Sequence, residues 1–326
     1  MELTAGENDS GRRLDRILRK ALPDHPLALI HRLLRRGQVL VNGKQAKAQD
    51  RIERGAVILI PVLKESKKSA VDFHGERKNS NTKVPRSPSR ILPSAAAPIW
   101  QDAGLIAFNK PAGLAVHGRD SLDTIVRAFL SDKLPPSLSF TPGPLHRLDK
   151  PSSGIVVFSA SLEGARLFTS LMKDHKIKKT YLAIAEGIVS KEDIWEDKLI
   201  RDREKKKTFT SCDPCAKTAI TKISPLASNS GCSLIQAEIV TGRTHQIRAQ
   251  AKAHGHPLLG DIKYSEQRVN SSERESKRNN YIAGFYLHAW KLEFSGYKIE
   301  APPPEAFKKK IIEIFGDKHL PRISTD

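Results

Sequence analysis

GPLHRLDKPSSGIVVFS, residues 143–159, runs from a Pro- and Gly-containing segment into an unbroken apolar stretch at 154–158, with His146, Arg147 and Asp149 set just before it. A short continuous apolar run bounded by turn residues predicts a strand buried on both faces. Polar side chains at the end of such a strand are held by a rigid scaffold while still facing solvent, which is where chemistry is usually built. Asp149 has His146, Arg147 and Lys150 as sequence neighbours. Positive groups of this kind hold a carboxylate ionised when it lies in a pocket. The plainer reading is a surface aspartate that balances local charge, and these residues alone leave both open.

Outward from this segment, apolar runs at 105–108, 181–185 and 234–240 predict further strands. Helical spacing lies between them: Leu122, Ile125, Val126, Phe129 and Leu130 follow the cap candidate Ser121, and Leu162, Ala165, Phe168, Leu171 and Met172 follow Ser161. Near the end, Pro304 suits a first helical turn, with Phe307, Ile311, Ile312 and Phe315 expected to pack inward. A second polar segment, TGRTHQIRAQAKAHGHPLLGDIKY at 241–264, predicts a helix that stops at Gly255. Its Arg243, His245 and Arg248 supply donors for phosphate or for a distant carboxylate. His254, His256 and Asp261 have the chemistry of metal ligands, but no second cluster completes a site and the two histidines straddle the helix end, so no metal is expected.

The whole chain carries 55 Lys and Arg against 36 Asp and Glu, a net charge of +19 over 326 residues. Such an excess favours a polyanionic partner, RNA or DNA first, through long-range attraction and counterion release. No run approaches the roughly 18 apolar residues of a membrane span, so no membrane partner is expected. The polar start, from Met1 to Ser10, lacks the order of a secretory signal and predicts a cytoplasmic protein. Cys212, Cys215 and Cys232 are too few for a disulfide framework and fit a reducing compartment. The spacing of Cys212 and Cys215 suits zinc, but a second ligand pair is missing.

Ahead of the strand-rich region, Leu14, Ile17, Leu18, Ala21 and Leu22 share one helical face, with Arg12, Arg13, Arg16, Arg19 and Lys20 around the remainder. A second helix between Pro26 and Gly37 turns Ile30, Leu33 and Leu34 inward and Arg32, Arg35 and Arg36 outward. Small strands around the Asn42-Gly43 turn follow. The predicted organisation is a small α/β RNA-binding domain at 11–63, a flexible linker at 64–97 rich in Lys, Ser, Asn and Pro, and an α+β enzyme domain at 98–326. A polar insertion at 265–280 predicts an exposed loop.

HRLDKPSSG at 146–154 resembles the signature of the RluA-type pseudouridine synthases, and GRTHQIR followed by HGHPLLGD and a tyrosine is similar to that family's later motif. NKPAGLAVHG at 109–118, KKTYLAIAEG at 178–187 and LHAWKLEF at 287–294 match its other blocks in order. The two basic helices and GQVLVNGK resemble the RNA-binding module named after a small-subunit ribosomal protein. The resemblance implies a mixed, largely antiparallel central sheet with an active-site cleft, and conversion of uridine to pseudouridine without any cofactor. It implies roles as well: Asp149 as the essential carboxylate, Arg147 entering the helix as the base leaves, Tyr181 beneath the flipped uracil, and Arg248 paired with Asp149. Arg243 and His245 join Arg12, Arg13, Arg16, Arg32, Arg35 and Arg36 as expected RNA contacts. The expected partner is RNA, ribosomal from the large subunit or alternatively transfer RNA, bound by a monomer; a non-catalytic RNA-binding or ribosome-assembly protein is the competing reading. Ser152, Ala249, Gln250 and Ser265 depart from the family's usual residues.

Overall fold

A computed structural model describes residues 1–61, 97–202, 204–264 and 284–321. The expected linker at 64–97 lies, apart from residue 97, outside the described residues, as does the expected loop at 265–280. The described chain divides into two units.

The first unit contains residues 1–61 with 129–142 and 161–163. Strand β1 (Glu2–Thr4) leads through a 3-10 turn (Glu7–Asp9) to β2 (Arg12–Arg13), then to helices α1 (Leu14–Ala21) and α2 (Leu27–Arg35). β3 (Leu40–Val41), β4 (Lys44–Gln45), β5 (Arg51–Ile52) and β6 (Val57–Leu59) complete it, with sheet order β1-β6-β3-β4 and a separate β2-β5 pair. The helices bury Leu14, Ile17, Leu18, Ile30, Leu33 and Leu34 against Val39, Ile52 and Ile58. Each such side chain contributes about 1.5–3 kcal/mol. Arg16, Arg19, Lys20, Arg32, Arg35 and Arg36 stay exposed. Arg12 and Arg13, expected on the first helix, are extended instead, because pairing with Arg51 and Ile52 fixes their backbone. Asp9 is fully buried, and its carboxylate accepts from the Gly6, Leu138 and Ser139 amides and the Ser137 hydroxyl at 2.8–2.9 Å.

The second unit is built on one sheet. In chain order its strands are β7 (Pro98–Asp102), β8 (Leu105–Lys110), β9 (Ser153–Ser159), β10 (Lys178–Glu186), β11 (Asp193–Asp202), β12 (Lys207–Thr210), β13 (Lys217–Asn229), β14 (Cys232–Ile239), β15 (Leu287–Phe294) and β16 (Tyr297–Glu300). Helices α3 (Leu122–Leu130), α4 (Leu162–Lys173), α5 (Gln246–Ala253) and α6 (Glu305–Phe315) lie between or after them. The order is β12-β11-β13-β14-β10-β15-β9-β8-β7, with β16 on β15. Every pairing is antiparallel except β15 with β9. The expected mixed, largely antiparallel α+β architecture is what forms.

Both faces of the sheet's centre are covered, which is why its strands read as unbroken apolar runs. Phe168 of α4 packs on Leu105, Ala107, Ile155 and Val157. Phe307, Ile311 and Phe315 of α6 pack on Leu182, Ile184 and Leu234. Ile312, expected inward, is 44% exposed, since the buried stripe of α6 follows Phe307, Ile311 and Phe315 and turns its next position outward. β9 meets β15 through Gly154, whose φ is +113°; a Cβ there would lie 2.2 Å from the Ala289 carbonyl oxygen. Glycine alone permits that approach.

Candidate active site

Asp149 sits in the loop that leads into β9, and Arg248 on α5 reaches it from the other motif. The Arg248 Nη1 donates to Asp149 Oδ2 at 2.9 Å, while its Nε and Nη2 fork onto Asp261 at 2.6 and 2.9 Å. The guanidinium is buried, with its carbon 4.3 Å from the Phe285 ring centre and 4.9 Å from that of Tyr264. Burial alone would lower the Arg248 pKa, but the hydrogen bonds and charge of Asp261, then of Asp149, raise it further. A permanently charged group is thereby held rigid beside Asp149.

His245 precedes α5 with φ 54°, a left-handed conformation that is uncommon for a residue with a side chain. Its Nδ1 lies 3.0 Å from the Tyr264 hydroxyl, and its Nε2 lies 3.7 Å from Asp149 Oδ2. The Tyr264 oxygen also accepts the Thr208 amide at 2.9 Å and keeps its own proton to donate. The carboxylate facing Nε2 favours the His245 tautomer with the proton on Nε2, in which Nδ1 accepts from Tyr264. Burial, with the cations Arg248, Lys263 and Arg201 adding to it against Asp149, pulls the His245 pKa down to about 4.

Tyr181 lies at a bulge in the β10–β15 pairing, between Ala237 of β14 and Ala289 of β15. Two small neighbours leave room over the ring. Burial, then the negative charge of Asp149, raise its pKa. Asp149, Tyr181, Arg147, His245 and Arg248 all line one open cavity of about 420 Å³. Arg147 is exposed and has no partner among the described residues.

Several residues stand differently from the sequence reading. His146 is not a positive neighbour of Asp149: its Nε2 accepts the Val157 amide, and burial, then the charge of Lys179, take its pKa to about 3. The nearby buried cation is Lys110, whose ammonium donates to the carbonyls of Pro111, Leu114 and Lys150 at 2.7–3.2 Å. Burial lowers the Lys110 pKa to about 7 against the pull of Asp149. In the sequence it stood inside the block NKPAGLAVHG, as a lysine followed by proline at the end of an apolar strand, with no role attached to it. His254, His256 and Asp261 diverge, to Asp197, the Glu186 carbonyl and Arg248 respectively. Arg12 donates to the Ser139 carbonyl and Arg13 forks onto Asp15. Gln250 is fully buried, donating to Asp197 and the Trp195 and Ala219 carbonyls and accepting from Thr221, which pins α5 to β11 and β13.

A strand-end carboxylate braced by a buried arginine, in an open cavity that a tyrosine also lines, is a site for acid–base or nucleophilic work. A family model described as RNA pseudouridylate synthase matches residues 104–253, and an S4 domain model matches residues 12–58. Ribosomal large subunit pseudouridine synthase C of Haemophilus influenzae is 30% identical over 301 residues, covering 90% of this chain and 86% of that protein. Ribosomal large subunit pseudouridine synthase D of Neisseria meningitidis serogroup A is 30% identical, covering 91% of this chain and 77% of that protein. The solved structure of human RNA pseudouridylate synthase domain containing 4 shares the fold, with a TM-score of 0.56 at 23% identity, over 67% of this chain and 92% of that one. The chain belongs to the RNA pseudouridine synthase family and carries an S4 domain ahead of its catalytic fold.

Proposed function

We propose that this protein isomerises specific uridines of large-subunit ribosomal RNA to pseudouridine, with Asp149 as the catalytic carboxylate. The observation that carries the reading is the buried Arg248 bridging Asp149 and Asp261 at the wall of an open cavity that Tyr181 also lines. The ribosomal target, rather than transfer RNA, is supported by the names of the relatives that match over most of this chain.

In this reading the target uridine leaves its stack, at a cost of a few kcal/mol, and settles on Tyr181 while Arg147 occupies the place it left. Asp149 then assists cleavage of the bond from ribose C1′ to uracil N1, by attacking C1′ or by taking the 2′ proton. The freed base turns within the cavity, C5 bonds to C1′, and the C5 proton is lost as N1 gains one, so product and substrate are isomers. His245 presents Nε2–H and Arg248 its charge to the Asp149 oxygen, which fixes the carboxylate's direction. Residues 11–63 act as the RNA-binding domain and 98–326 as the catalytic domain. The exposed Arg16, Arg32, Arg35 and Arg36 supply phosphate contacts to the first, and Arg243 supplies them to the second. A monomer in the cytoplasm fits a net charge of +19 and the free Cys212, Cys215 and Cys232.

The test is to map pseudouridines in ribosomal RNA from cells lacking the protein, then after return of the wild-type chain or of Asp149→Asn. At least one large-subunit position should be lost, restored by wild type and not by the variant. Full restoration by Asp149→Asn overturns the role of Asp149, and an unchanged map overturns the substrate.

A further inference from the structure

Beside the catalytic cavity lies a second, wider groove of about 1500 Å³, walled by the β11–β12 hairpin, the start of β13 and the 242–244 loop. Arg201, Lys206, Lys217 and Arg243 line it, together with Thr208 and Thr244, and no carboxylate is among its lining residues. All four cations are exposed. Elsewhere in this unit some surface lysines are neutralised: Lys178 and Lys222 share Glu238, and Lys291 pairs with Glu300. None of the four groove cations has a carboxylate within ion-pair distance among the described residues.

Two of these cations are aimed rather than loose. Arg201 Nη1 lies 3.5 Å from the Thr244 hydroxyl, and Arg243 Nε donates to the Thr218 carbonyl at 3.0 Å, which leaves the outer guanidinium N–H groups of each free for a ligand. Strand pairing places Arg201 opposite Thr208 and Leu199 opposite Lys217, so Arg201 and Lys217 are held on strands, while Lys206 sits in the β11–β12 turn and Arg243 in the loop ahead of α5. Arg243 lines this groove and the cavity of Asp149 alike, so the groove runs outward from the reacting atoms. Four unpaired like charges on a fixed wall repel one another, and a chain of phosphates relieves that repulsion by displacing its own counterions.

We propose that this groove holds the sugar-phosphate backbone of the RNA strand that carries the target uridine, with Arg201, Lys206 and Lys217 as phosphate contacts beyond Arg243. The assignment rests on the proposed RNA substrate and deepens it. Contacts to phosphate set register and affinity without reading bases. The groove therefore tightens binding of any strand threaded into the cavity and leaves the choice of uridine to other surfaces.

The test uses the full chain with Arg201→Gln, Lys206→Gln and Lys217→Gln combined, and a control in which Lys176, Lys309 and Lys318 become Gln, which removes the same charge elsewhere. Binding to a transcript spanning the modified large-subunit position is measured at several salt concentrations, alongside kcat and KM. The groove variant should lose about 2–3 from the slope of log affinity against log salt, at roughly 0.7–0.9 per phosphate neutralised. KM should rise about tenfold or more with kcat within about twofold, while the control keeps the wild-type slope. An unchanged slope in the groove variant, or an equal loss in the control, overturns the proposal. A protein that binds the transcript with the predicted slopes but forms no pseudouridine would count against the enzymatic reading and leave the groove assignment standing.

Discussion

At Arg248 one guanidinium serves two carboxylates, two of its N–H groups on Asp261 and one on Asp149. Breaking a buried ion pair usually costs several kcal/mol because a charge is stranded. Here Asp261 keeps Arg248 neutralised when Asp149 loses its charge. Asp149→Asn is therefore expected to unfold within about 1 kcal/mol of wild type, the ordinary range of a mild substitution, while pseudouridine formation disappears. Urea denaturation and a turnover assay on the same preparation check both halves. The Tyr264 hydroxyl meets the site at His245 Nδ1, while its ring lies against the Arg248 guanidinium and would remain there in a phenylalanine. Tyr264→Phe removes that donor and frees the imidazole to turn or change tautomer. The expected result is a kcat lower by roughly 10-fold to 100-fold with KM unchanged, below the full range seen for general acid–base groups. An unchanged kcat would show that the His245 tautomer does not matter.

Gly154 shows how one position decides an element. It lets β9 lie parallel to β15, and its Cβ would meet the Ala289 main chain at 2.2–2.7 Å. Gly154→Ala should lower stability by more than about 3 kcal/mol, since backbone atoms on both sides must shift and φ is positive. A melting curve that moves by only a degree or two would contradict this. At the S4 domain, Arg16, Arg32, Arg35 and Arg36 form an exposed basic face on α1 and α2. Replacing the four by Gln should weaken RNA binding and lower the salt slope by roughly 0.7–0.9 for each phosphate no longer neutralised, as titrations at several salt concentrations would reveal. The elements that could be read from the sequence share one property, burial on both faces or a clear helical stripe. β8, β9, β10 and β14 were visible for that reason. β11, β12 and β13 were not, because one face is wet and carries Glu196, Lys198, Lys207 and Lys222 among its apolar positions. The motifs pointed to Asp149, Tyr181 and Arg248, and the fold brings these three to one cavity. Lys110 lay inside NKPAGLAVHG, but its burial and its three carbonyl partners leave no local pattern to read. Gln250 showed only as a departure from the family's residue.

Among the described residues, three histidines are held neutral by burial: His146 with a pKa of about 3, and His245 and His288 of about 4. At His288 burial lowers the pKa although the Ala301 carbonyl, 2.9 Å from Nε2, pulls it up, and Nδ1 faces the Ser153 hydroxyl at 2.8 Å. Unfolded, each would take up a proton near pH 6.5, so between about 6.5 and 4 the unfolded chain binds more protons and stability falls as pH falls. Three such groups give a slope of up to about 4 kcal/mol per pH unit. Asp9 adds to the loss at lower pH. Burial would raise its pKa, but the Ser139, Leu138, Ser137 and Gly6 hydrogen bonds outweigh this and lower it, so its stabilisation is present above the unfolded value and lost as pH falls through the folded one. The urea midpoint should therefore drop steeply from pH 7 to pH 5, and a flat profile would contradict the neutral histidines.

The single parallel pairing of the sheet joins β9 to a strand more than a hundred residues further along the chain. Loop closure over that distance is slow, and a chain emerging from the ribosome N-terminus first must have been made past Phe294 before β15 can slot between β9 and β10. Assembly of the Tyr181 wall, which needs Ala289 of β15, is thus a late folding event. The first unit can close once residues 129–163 have been made, because Asp9 needs Ser137, Leu138 and Ser139, so in the order of synthesis it precedes the cavity that Tyr181 and Asp149 line.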